Sequence, residues 1–133
     1  MQRQVSVSLG REAFSTAVAI GPHALAADEP AELGGGDTGP TPVELLLASL
    51  ASCKAITVKM YADRKQWPLE RVEVVARAAS MHGAVIASIE TQVRASGDLS
   101  EDQRARLLEI AEKCPVQKAI TSGVRIEPHG AAL

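Results

Sequence analysis

The stretch Gly39-Pro40-Thr41-Pro42-Val43-Glu44-Leu45-Leu46-Leu47-Ala48-Ser49-Leu50-Ala51-Ser52-Cys53 decides how the chain is read. Thr41 suits a helix N-cap, Pro42 the first helical position and Glu44 the third position of a capping box. A helix is therefore expected from Pro42 to about Lys65, before Pro68. Its first half, through Leu50, Ala55, Ile56 and Val58, is apolar nearly all round. That pattern predicts burial on more than one side. The small residues Ala48, Ser49, Ala51 and Ser52 allow close approach of a neighbour. A membrane span needs about 20 apolar residues, and Lys54 and Lys59 interrupt this one, so it reads as a core helix.

Working outward, Val5, Val7 and Leu9 alternate with polar residues, as do Phe14, Thr16, Val18 and Ile20. A turn near Gly10-Arg11-Glu12 would make them a hairpin. Residues 21–40 are rich in glycine and proline and read as one long loop, of a length that is often functional. The run Gly34-Gly35-Gly36 gives that loop backbone freedom. Downstream, Val72 to Ala78 and Val85 to Val93 alternate around His82-Gly83, a second hairpin. Ser100-Glu101-Asp102-Gln103 is another capping box. The helix it opens places Leu107, Ile110, Ala111 and Cys114 on one face. Pro115 disfavours continuation and is expected to restart a short helix through Ile120. Val124 and Ile126 suggest a last strand. The fold class is α+β, and 133 residues suit one domain with one core.

Composition excludes several functions. Net charge is -2 and aromatic residues are 2%, so neither a basic nucleic-acid footprint nor a base-stacking surface is present. Residues 1–9 lack the apolar stretch of a secretory signal, which points to the cytoplasm and a reducing setting. His23, His82 and His129 are scattered, and no metal-ligand spacing or nucleotide-binding glycine loop occurs. No metal and no cofactor are expected.

That leaves two cysteines, 61 residues apart, too far for a Cys-x-x-Cys motif. Cys53 reads either as a small core residue or as a reactive thiol. Lys54 does not decide between them, since helical neighbours point about 100° apart. Cys114 reads either as core packing or, at the N-terminus of a turn begun by Pro115, as a thiol of lowered pKa.

The segment from Gly39 to Cys53 closely resembles the central-helix motif of the OsmC/Ohr family. Three further pieces resemble the branch of OsmC-like domains found fused to hydrolases. These are Gly21-Pro22-His23 through Asp28-Glu29-Pro30, Met60-Tyr61-Ala62-Asp63-Arg64-Lys65 through Trp67-Pro68-Leu69, and Ile110-Ala111-Glu112-Lys113-Cys114-Pro115-Val116. The resemblance covers nearly the whole chain. It implies a two-layer α+β fold, an intertwined homodimer with antiparallel sheets around central helices. It also implies that Cys53 is the peroxidatic and Cys114 the resolving cysteine. Such enzymes reduce organic hydroperoxides with electrons from an external dithiol, lipoyl groups in the best-known members.

Peroxidase members carry a glutamate ten positions before the peroxidatic cysteine, holding an arginine over the thiolate. Here that position is Val43. Glu44 and Arg11 are the candidates for that pair, although Glu44 lies one residue off and has a capping role, and Arg11 lies in a turn. Arg64 is on the Cys53 face but about 16 Å along the helix axis. His23 is a candidate to line the site from the loop. Two other functions compete: a binding or accessory module for a small apolar ligand, and a general protein-disulfide reductase, against which the buried place of Cys53 argues.

If two protomers share one core, the unfolding midpoint rises with protein concentration. A concentration-independent midpoint together with a monomeric mass contradicts the dimer.

Overall fold

The computed structural model describes residues 3–128 and Gly130; His129 lies outside the described residues. The chain divides into two compact units, one ending at Leu47 and the other starting at Ala48.

The first unit is an antiparallel sheet followed by a pinned loop. Strands β1 (Val5–Leu9), β2 (Thr16–Ile20) and β3 (His23–Ala27) pair in chain order. Leu9 faces Thr16 and Ile20 faces His23. The expected first hairpin is present, with its second strand starting at Thr16 rather than Phe14. The expected long loop over residues 21–40 is shorter than predicted, because residues 23–27 form β3. Gly21, at φ 56°, and Pro22 make a two-residue turn that sends the chain straight back. The alanine-rich β3 gives no alternation by which to read it. Val5, Val7 and Leu9 all point into open space, 53–60% exposed.

The remaining loop is held rather than free. Asp28, 2% exposed, accepts hydrogen bonds from Gly36 N, Thr38 N and Thr38 Oγ1 on one carboxylate oxygen, and from Glu29 N on the other. Gly35 is required for close approach, since a Cβ there would lie 1.9 Å from the Glu29 carbonyl oxygen. The glycines thus serve a tight fold of the loop more than its freedom.

Helix α1 (Pro42–Lys65) begins as read: Glu44 N donates to Thr41 Oγ1 at 3.1 Å, and Thr41 N donates to Glu44 Oε1 at 2.8 Å. In the second unit α1 buries one row only, Leu50, Lys54, Val58 and Ala62, each four residues from the next. Burial on several sides does not hold within one chain, for Ile56 is 54% and Met60 61% exposed.

Strands β4 (Leu69–His82) and β5 (Val85–Gly97) form a long antiparallel hairpin, turning at Gly83 and Ala84, one residue beyond the expected turn. Gly97, at φ 138°, lies where a Cβ would come within 2.3 Å of the Pro68 carbonyl oxygen. Helix α2 (Glu101–Ala111) opens with the expected Ser100/Gln103 capping box. Arg104 ties it to the sheet by donating to the carbonyls of Ala95 and Gly97. Val58, Ala62, Leu99, Leu107 and Ala111 form the core, with Tyr61, Trp67 and Val93 packed against it. Full burial of Val58 and Leu107 stabilises the unit by roughly 1.5–3 kcal/mol each. Helix α3 (Pro115–Ser122) follows. Among the described residues no last strand forms: Val124 and Ile126, 68% and 90% exposed, follow Gly123 in irregular chain.

Donors around Asp28, the Thr38 hydroxyl first, hold its carboxyl below the ordinary 3.8 against the opposing effect of burial. A depressed folded pKa contributes stability above 3.8 that is lost as pH falls through the lower folded value. Asp28→Asn is therefore expected to lower the melting temperature by several degrees at neutral pH, the gap to wild type closing in acid. A gap that is the same at all pH values contradicts the role of the charge.

Candidate active site

The second unit brings the two cysteines together from different elements. Cys53 lies on α1 and is half-buried, less enclosed than its apolar helix suggested. Cys114 is fully buried, at 0% exposure, and both are free thiols.

Cys114 does not lie in α2 as its spacing from Leu107 predicted. Helix α2 ends at Ala111, and Cys114 adopts an extended conformation, φ -66° and ψ 136°, as the N-cap of α3. Pro115 is the cause. Its ring disfavours helical geometry at the residue before it, while its fixed φ suits the first position of a new helix. The restart at Pro115 is as expected, and α3 runs two residues past Ile120.

As N-cap, Cys114 does what serine or aspartate usually does. Its Sγ accepts a hydrogen bond from Gln117 N at 3.3 Å. The lowered pKa expected from this position is not what results. Burial pushes the Cys114 thiol above its ordinary 9.0, and Cys53 pushes it further, both as hydrogen-bond partner and by charge. The amides of Gln117 and Val116 pull the other way and are outweighed. The net effect favours the protonated form of Cys114.

Sequence reasoning set Lys54 aside, and it is the most deeply placed polar side chain near the pair. Lys54 is 0% exposed. Its Nζ donates to the Ala111 carbonyl oxygen at 3.1 Å and reaches Glu112 Oε1 at 3.4 Å. The other Glu112 oxygen accepts from Gln117 Nε2 at 2.7 Å. Gln117 first, then Lys54 by charge and hydrogen bond, hold the Glu112 carboxyl below its ordinary 4.5 against the effect of burial. The signal was present in the sequence, for Lys54 interrupts the row Leu50, Val58, Ala62.

The remaining candidates are each placed within their own element. Arg11 is exposed in the loop joining β1 and β2, and the Glu44 carboxylate is engaged by Thr41; both belong to the first unit. Arg64 is exposed near the end of α1. His23 stands on β3, exposed, not in a loop. Among the described residues, no helix is long and apolar enough to cross a membrane.

An α+β chain with a long central helix, antiparallel hairpins and two apposed thiols defines a class, and comparison supplies the family. The family model described as OsmC-like protein matches residues 34–129, so the chain belongs to the OsmC-like family. Solved structures share the fold. An OsmC-like protein from Mycoplasma pneumoniae is 16% identical, with 91% of this chain and 88% of that one covered and a TM-score of 0.73. An organic hydroperoxide resistance protein OsmC from Legionella pneumophila is 23% identical, with coverage of 90% and 89% and a TM-score of 0.65. An organic hydroperoxide resistance protein from Elizabethkingia anophelis is 18% identical, with coverage of 90% and 87% and a TM-score of 0.67. No curated protein matches the chain.

In Cys53→Ser the contribution of Cys53 disappears while burial, the largest cause, remains. Cys114 is then expected to titrate above 9.0 when followed by thiolate absorbance. A value at or below 9.0 contradicts the dominance of burial.

Proposed function

We propose that the chain is a thiol-dependent peroxidase for organic hydroperoxides. The observation that carries the reading is the pair of free thiols brought together in one unit, Cys53 half-buried on α1 and Cys114 fully buried at the N-cap of α3, close enough for Cys53 to act on the Cys114 thiol. The names of the Legionella and Elizabethkingia relatives point the same way.

In this reading the Cys53 thiolate attacks the distal oxygen of ROOH. The O–O bond breaks, ROH leaves after protonation, and Cys53 becomes a sulfenic acid. The Cys114 thiol displaces water from that sulfenic acid and the Cys53–Cys114 disulfide forms. An external dithiol reduces the disulfide by two exchanges, becoming oxidised itself. Thiols carry both electrons, so no cofactor enters. Arg11 and Glu44 join the proposal by resemblance alone, as candidates for thiolate activation. The whole chain acts as one OsmC-like domain in the cytoplasm.

A homodimer is part of the reading. An open groove of about 520 Å³, lined by Ala55, Ile56, Met60, Leu69 and Val72 among others, offers a second protomer apolar surface. The same groove favours the alternative, a non-catalytic module that holds a small apolar ligand. The alternative makes both cysteines dispensable.

Steady-state consumption of cumene hydroperoxide with a dithiol as reductant distinguishes the two. The expected outcome is turnover by the wild type and loss to the uncatalysed rate in Cys53→Ser. Cys114→Ser is expected to lose dithiol-driven turnover yet still consume about one equivalent of peroxide per chain. Undiminished consumption by Cys53→Ser rules the proposal out.

A further inference from the structure

The polar side chain that reaches the Cys114 turn comes from the residue after Cys53, and the peroxidase scheme above gives it no part. Lys54 stands in the buried row of α1 between Leu50 and Val58. Burying an amine is costly unless polar partners replace water, and an apolar side chain of similar length fills such a place without that cost. What lysine adds is therefore its polar reach. Its Nζ meets the carbonyl of Ala111, one of the last α2 carbonyls that the helix leaves without an internal partner. It also meets Glu112, the C-cap of α2.

From there the contacts run to both sides of Cys114. Glu112, two residues before it, accepts from the side chain of Gln117, three residues after it. The backbone amide of Gln117 donates to the Cys114 sulfur itself. The turn that carries Cys114 is thus closed by a Glu112–Gln117 clasp and anchored to α1 by Lys54. The anchor is adjacent in sequence to Cys53, so it ties the two cysteine-bearing segments directly.

We propose that Lys54 is a positioning residue for disulfide formation: through Ala111 and Glu112 it holds the Cys114 turn against Cys53. The proposal deepens the peroxidase reading and rests on it for the identity of the oxidant. It follows from how the resolving step must run. Cys114 is fully buried and its sulfur is held by the Gln117 amide, so it reaches the Cys53 sulfenic acid only from where its own turn stands. The step Cys53–SOH plus Cys114–SH, giving the disulfide and water, then depends on how persistently Cys114 stays beside Cys53. The groups acting on the Cys114 thiol are Cys53 and the amides of Gln117 and Val116; Lys54 acts at one remove, by holding the backbone.

The test uses Lys54→Met and, in case that variant folds poorly, Glu112→Ala, whose side chain is 61% exposed. Two rates are read after one addition of cumene hydroperoxide: sulfenic acid formation at Cys53, trapped with dimedone, and its conversion to disulfide. The disulfide equilibrium against glutathione is measured separately. Both variants are expected to slow conversion relative to sulfenic acid formation by about tenfold. They are also expected to weaken the disulfide about tenfold against glutathione, near 30 mV for two electrons. An unchanged ratio of rates and an unchanged equilibrium, even with a lowered melting temperature, make Lys54 merely structural and overturn the proposal. If the wild type ignores the peroxide while the variants still shift the glutathione equilibrium, the peroxidase reading fails and the role of Lys54 stands.

Discussion

The candidate site depends on one backbone constraint, the incompatibility of Pro115 with the helix before it. Helix α2 stops at Ala111, Cys114 becomes extended, and α3 begins at once. Had the helix continued, Cys114 would be one more apolar position below Leu107 and Ala111. Placed at the cap instead, its sulfur meets the first free amides of α3 and the thiol of Cys53. The constraint is local, and its consequence is a contact across 61 positions of sequence.

Two opposing effects then set the chemistry of that sulfur. Amides at a helix N-terminus favour thiolate, and burial in an apolar core favours thiol. Here burial and the neighbouring Cys53 win, and Cys114 keeps its proton. A pair in which one sulfur is half-buried and the other is buried and protonated has a built-in division of labour. Under the proposed peroxidase reading, the more accessible sulfur meets the substrate and the enclosed one waits for an intermediate formed beside it. The buried Lys54 and its contacts to Ala111 and Glu112 fit the same division, because a waiting thiol must be kept in place.

The sequence was most legible where the cause of structure is local. Both capping boxes and the restart at Pro115 rest on residues within four positions of one another and form as read, and the two hairpins form with their strand start or turn shifted by one or two residues. Strand β3 escaped because alanines at residues 24, 26 and 27 give no alternation, and only pairing with β2 makes them a strand. The Asp28 clasp escaped because its partners, Gly36 and Thr38, lie across a turn that composition alone describes as flexible. At the site, both cysteines are legible from the sequence, but of the two readings open for Cys114 the lowered pKa does not hold and burial prevails. Helix position can be read from Pro115, whereas burial depends on the whole unit. Lys54 escapes for a similar reason: pointing about 100° away from Cys53 says nothing of the buried row it shares with Leu50, Val58 and Ala62.

The central claim is that Cys53 and Cys114 of one chain form a redox couple that a peroxide can drive. The most direct measurement adds one equivalent of cumene hydroperoxide to fully reduced protein, then weighs the denatured chain and counts its free thiols. The account predicts a loss of about two mass units and of both thiols within a single chain. An unchanged mass with both thiols still free after prolonged exposure contradicts it.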